Sequence, residues 1–256
     1  MYDAHQVIAH LDHNKWKIIA LCALAMVCNY TWFIAAFRVA RRERVYSVPA
    51  FCTLFWLVGD SSFLWHFDRW FHYYKNWYVE LFWFALVLTV LFELAFTVQL
   101  IQYGREELLP AATQAQFAAL VLAAIGAAIV IWSMIRHVIN DALWITYFDL
   151  ANLVGPIFAA ALIVKRRSAA GQTTVIWYAY AAMAALWFIA ESLWFGPVFR
   201  SSEYFAVAIL CVGASLAVAY TVGRLRRPAT EAAPQLKASR PLGWPEPRLA
   251  APRRPR

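Results

Sequence analysis

Apolar positions in this chain do not alternate, and they do not recur at the spacing of a surface helix. They come in long unbroken blocks separated by short polar stretches. Seven blocks stand out: 16–37, 46–66, 77–102, 115–136, 142–164, 174–195 and 204–223. A helix needs roughly 20 apolar residues to cross the hydrocarbon core of a bilayer. Each block meets that length, and the short connections make neighbouring helices antiparallel. The pattern predicts an all-α integral membrane protein, a bundle of seven transmembrane helices over residues 16–226. A polar N-terminal segment, 1–15, precedes it. The tail, 227–256, is rich in Pro, Ala and Arg, shows no apolar period and reads as disordered.

Composition agrees. The chain is 62% hydrophobic and 15% charged, against about 45–50% and 25% in soluble domains. The net charge of +8 does not indicate nucleic acid, because the basic residues sit in the connections and the tail. One set of helix ends carries Arg38, Arg41, Arg42, Arg44, Arg105, Lys165, Arg166, Arg167, Arg224, Arg226 and Arg227. The other carries Lys15, Lys17, Arg69, Lys75, Arg136 and Arg200. The positive-inside rule then places the N-terminus outside and the C-terminus in the cytoplasm of a multi-pass cell-membrane protein. No cleavable signal peptide is read in the polar start. Cys22, Cys28, Cys52 and Cys211 lie in apolar blocks without a CxxC pair, so neither disulfide nor zinc site is expected.

Intramembrane acids are costly and mark functional positions. Asp60, Asp149 and Glu191 stand roughly 9, 10 and 6 Å below the outer helix ends at the α-helical rise, so the three share a level. Asn152 shares a face with Asp149. Trp56 and Trp187 each stand four residues before an acid, on its face. Glu93, nearer the cytoplasmic third, reads as a buried structural acid, and Glu80 as solvated. Asp68 with His72, and Asp141 with His137, read as interfacial pairs. An acid in an aromatic-lined pocket can act as a general acid, and aromatic faces stabilise cations. No glycine-rich phosphate loop, HExxH or GxSxG motif occurs, and residues 204–223 contain no lysine for a retinal Schiff base.

The stretch 29–56, NYTWFIAAFRVARRERVYSVPAFCTLFW, resembles the first two helices of the small seven-helix transmembrane terpene cyclases. These occur in fungal meroterpenoid and indole-diterpene pathways and bacterial indole-sesquiterpene pathways. The shared features are Asn29-Tyr30, the basic loop ending Arg44-Val45-Tyr46-Ser47, Pro49, Cys52 and Trp56. The basic loop followed by Ser168 and Gly171, and a helix ending near Pro197, are also similar. Length, helix count and basic-loop placement match over residues 17–227. The family pattern places a catalytic Glu after the helix 2 tryptophan, where this chain has Leu57. It places an Asp before the glycine of the last helix, where this chain has Val212.

The resemblance implies a membrane-embedded enzyme that cyclises or isomerises a lipophilic, isoprenoid substrate by acid initiation. The expected catalytic residues are Asp60, with Glu191 or Asp149 tuning it or taking up the final proton. Trp56, Trp65, Asn152 and Trp187 are the expected substrate contacts. No metal or soluble cofactor is expected, and the partners are the lipid bilayer and a lipophilic small molecule. The alternatives are a small-molecule transporter or receptor with an outer acidic pocket, which the Gly155-Pro156 interruption of the fifth block favours, and a scaffold subunit.

Overall fold

The structure is a computed structural model that describes residues 2–139 and 141–226. The tail read as disordered therefore lies outside the described residues. Those residues are helical, with no strand among them. The elements are α1 (Ala4–His13), α2 (Lys15–Glu43), α3 (Ala50–Leu64), α4 (Trp77–Tyr103), α5 (Arg105–Leu108), α6 (Gln114–Ile139), α7 (Ile145–Arg166), α8 (Thr174–Trp194) and α9 (Ser202–Arg226). A π-helical turn, Arg69–Tyr74, joins α3 to α4, and a 3₁₀ turn, Pro197–Arg200, joins α8 to α9.

Six helices, α2, α4, α6, α7, α8 and α9, are long and apolar enough to cross a membrane. The second block differs from expectation. Pro49 starts α3 late, and the chain leaves the α-helix at Leu64, so α3 has 15 residues, about 22 Å. The first block is longer than expected. Arg38, Arg41 and Arg42 continue α2, and cations in a last helical turn favour its dipole. The N-terminal segment also differs. Asp3 accepts a hydrogen bond from the N–H of His5 and caps α1, which buries Val7 and Leu11 on one face. That i, i+4 pair was the apolar signal inside a segment read as polar.

The helices pack into one compact unit that ends at Leu225. The closest packing joins α2 to α8 and α3 to α4, and α6 leans on α3 as the least covered of the long helices. At one end, Asp12 of α1 accepts from Asn76 and Trp77, both at 2.8 Å. At the other end the loop 44–49 meets the loop 167–173. Ser47 donates to the carbonyl of Gly171 at 2.7 Å, and Gln172 donates to that of Ser47 at 2.6 Å. Gly171 takes φ +75° with Val45 and the Tyr46 carbonyl where a side chain would stand, so glycine is required there.

Candidate functional site

Asp60 is buried on α3 and borders a cavity of about 40 Å³ between α2, α3, α4, α7 and α8. Trp32, Trp56 and Tyr180 form one aromatic wall, their rings 5.3–5.9 Å from that of Trp32. Polar groups on the wall come from every surrounding helix: Asn29, Asp60, Glu93, Asn152 and the hydroxyl of Tyr180. The tryptophans are fixed by hydrogen bonds. Trp32 donates to the Asn29 side chain at 2.9 Å, and Trp56 to the carbonyl of Ala151 at 3.2 Å.

The acid that faces Asp60 is Glu93 of α4. Their carboxyl groups lie within hydrogen-bonding reach of each other, and the indole of Trp144 also faces Asp60. Two full negative charges at that separation in a dry interior repel strongly, and one proton held between them removes the repulsion. Trp144, fully buried, holds a left-handed backbone at φ 72°. That conformation is strained for a bulky residue. Stacking on Tyr147, at 3.8 Å between ring centroids, and contact with Trp132 keep it in place.

Asp149 and Glu191 form a second pair. Their carboxyls also approach within hydrogen-bonding reach, and Glu191 accepts from the hydroxyl of Tyr204. This pair ties α7, α8 and α9 together. It does not border the Asp60 cavity. Phe82, Phe148 and Trp187 stand between the two pairs, with Trp187 4.8 Å from Phe148 and its indole toward Glu191. The expectation that Asp60, Asp149 and Glu191 share one pocket is therefore corrected. A common level does not imply a common direction, and the faces of α7 and α8 that carry Asp149 and Glu191 turn toward α9.

Of the expected substrate contacts, Trp56 and Asn152 border the cavity. Trp187 packs beyond Phe148, and Trp65 is 88% exposed on the outside of the bundle. Trp65 follows the last residue of α3, where the chain turns away from the helix axis. Asp68 and His72 form the exposed pair expected of them at 3.2 Å. Asp141 pairs differently. It accepts from the Tyr2 hydroxyl and from the backbone N–H of Tyr147, the latter at 2.8 Å, and burial raises its pKa above the usual carboxylate value. Among the described residues, no group of three or more potential metal ligands comes together.

Two functional-looking residues escaped the sequence. Glu93 reads as a structural acid because its level is counted along α4 alone, with no view of Asp60 on α3 beside it. Tyr180 has a legible signal in retrospect. Pro156 inside α7 has no N–H for the carbonyl of Asn152, four residues earlier. The Tyr180 hydroxyl takes that carbonyl at 2.8 Å.

Beside the acidic cavity lies an apolar one of about 140 Å³ between α2 and α4. It shares Met26, Phe82 and Ala85 with the first. Its mouth carries the exposed residues Ala23 and Leu81. No protein-family model, curated protein or solved structure matches this chain.

Proposed function

We propose that the chain is a membrane-embedded enzyme that protonates a lipophilic, isoprenoid-like substrate and so initiates cyclisation or isomerisation. The observation that supports this reading is the Asp60–Glu93 pair, set in an aromatic-walled cavity that adjoins an apolar one. Asp60 is the proton donor, and Glu93 holds its carboxyl in position and keeps the proton available. Trp32, Trp56 and Tyr180 present π-faces to the positive charge that protonation creates. Asn29 and Trp56, two residues that carry the resemblance to the terpene cyclases, both border this cavity. Glu93, not the position of Leu57, then supplies the second carboxyl.

At about 40 Å³ the cavity has room for a few water molecules, far below the roughly 300–1,000 Å³ of a typical ligand pocket. Substrate entry in this reading moves Phe82, the aromatic side chain shared with the apolar cavity, so that the two merge. We further take α3 to span with the six longer helices, giving seven spans in the cell membrane, N-terminus outside. The basic ends of α2, α7 and α9 then face the cytoplasm.

The test is to express the chain in membranes and supply plain and epoxidised polyprenyl substrates. Turnover is expected to fall at least about a hundredfold in Asp60→Asn, the lower range for loss of a general acid, and comparably in Glu93→Gln. Product formation unchanged by both substitutions sinks the proposal.

A second reading is a proton-coupled transporter. The small cavity and the presence of two carboxyl pairs at separate places favour it, because intramembrane acids also serve as proton relays. Uptake into proteoliposomes that requires a pH gradient, without chemical change of the solute, distinguishes it.

A further inference from the structure

A second polar cavity, of about 50 Å³, lies between the end of α3, the π-helical turn and the α6–α7 connection. Its ionisable groups are Arg69, Arg136, His66 and Asp141, and Trp132 and Trp144 supply aromatic walls. Among the described residues neither arginine is ion-paired. Arg69 donates to the hydroxyl of Tyr74 at 3.3 Å. Arg136 lies 5.6 Å from the centroid of Phe63 and meets Nε2 of His66.

The histidine is not a counter-charge. Its Nδ1 lies 3.1 Å from the carbonyl of Ser62 and so carries the proton, which leaves Nε2 to accept from Arg136. Burial first, and then the charges of Arg136 and Arg69, hold its pKa below the usual 6.5. His66 therefore orients the Arg136 guanidinium as a neutral imidazole. Among the described residues Asp141 is the one carboxylate on the wall, and its oxygens already accept from Tyr2 and from the Tyr147 N–H. Two guanidiniums against one engaged carboxylate leave a surplus of positive charge. Arg136 is half-buried, and Arg69 stands exposed at the rim of the same cavity, close enough that their like charges repel, a cost that an anion between them removes.

We propose that this cavity is an oxyanion site that takes a phosphate group, held by the Arg69 and Arg136 guanidiniums, with His66 as the positioning residue. Guanidinium forks match the oxygens of phosphate in pairs. The group arrives either as the headgroup of an anionic lipid or as free phosphate, and the chemistry of recognition is the same. Trp144 borders this cavity and turns its indole toward Asp60. It is the partition between the oxyanion site and the acid pair. The inference stands independently of the enzymatic reading.

The experiment uses the full chain in nanodiscs and follows tryptophan fluorescence and the thermal midpoint. In one arm the lipid is phosphatidylcholine alone, and inorganic phosphate is titrated in. In the other arm phosphatidic acid replaces part of the lipid and no phosphate is added. A saturable response in either arm supports the site, and the arm that responds identifies the source. In the double variant Arg69→Gln, Arg136→Gln, half-saturation is expected to move at least about tenfold higher, the loss of about 1.4 kcal/mol. Arg136→Lys keeps the charge but loses the fork and is expected to fall in between. Arg200→Gln, at a helix end away from the cavity, is expected to change nothing. No saturable response in either arm overturns the proposal, as does an Arg200→Gln effect equal to that of the double variant. If the double variant fails to fold by circular dichroism, Arg136→Lys decides, and an unchanged response in it overturns the site.

Discussion

Pro156 removes one backbone donor from α7, and the Tyr180 hydroxyl replaces it on the Asn152 carbonyl. Gly155 makes this possible, because a Cβ there would collide with that hydroxyl and with the Trp56 ring. Tyr180→Phe leaves a buried carbonyl without a partner, a loss of about 1–3 kcal/mol. Pro156→Ala restores an N–H at position 156, so the same Tyr180→Phe change is expected to cost much less in that background. Unfolding of the four variants in detergent gives the coupling directly, and additive effects would show that Tyr180 does not stand in for the missing donor. His66 makes a pH-dependent contribution. Its folded pKa is lowered, so the unfolded chain binds the proton more readily, and stability falls as pH drops through about 6.5. Asp141, whose pKa is raised, works with the opposite sign at lower pH. The midpoint difference between the chain and His66→Gln, measured from pH 7.5 to 5.5, is expected to shrink or invert on acidification.

At the scale of elements, one guanidinium adds to the loop contacts that join the two halves of the chain at one end. Arg166, at the end of α7, donates twice to Glu107 at 2.8–2.9 Å, once to the carbonyl of Ala170 and once to that of Tyr46. It also lies 4.3 Å from the Tyr46 ring, and that phenol, desolvated and beside Glu107, has its pKa pushed up to about 12 and stays neutral. Arg166→Ala is expected to destabilise by about 1.5–3 kcal/mol, the range for hydrogen bonds to a charged group, and Arg166→Lys by nearly as much because the fork is lost. A thermal midpoint unchanged in Arg166→Ala would refute this role. The basic loops read in the sequence only as topology signals therefore also hold elements together. Block lengths made the helices legible, because a bilayer fixes how long an apolar run must be. Helix rotation was not legible. Every long helix is apolar nearly all round, so no stripe says which face meets which neighbour. For that reason the sequence sets Asp60 level with Asp149 and Glu191 but does not show that Glu93 faces it, nor that Trp65 points out of the bundle.

For the whole molecule, the span proposed for the short helix α3 bears on how the chain enters a bilayer. Alone it offers about 22 Å of helix and carries Asp60, and α4 alone carries Glu93. A carboxylate at the centre of a span costs about 2.5–3.5 kcal/mol in stepwise insertion. Packed together, the two helices place one acid against the other and away from lipid. They are expected to integrate as a hairpin, with α3 waiting at the insertion machinery until α4 has been made. In chains truncated after residue 76, a cysteine introduced in the 65–76 connection should stay out of reach of a membrane-impermeant thiol reagent added on the outer side, and in chains truncated after residue 104 it should become reachable. Full integration of α3 in the shorter chain would show that it needs no companion. The buried acid pair then matters before any chemistry, as a checkpoint in biogenesis that a chain with only one of the two acids would pass less efficiently.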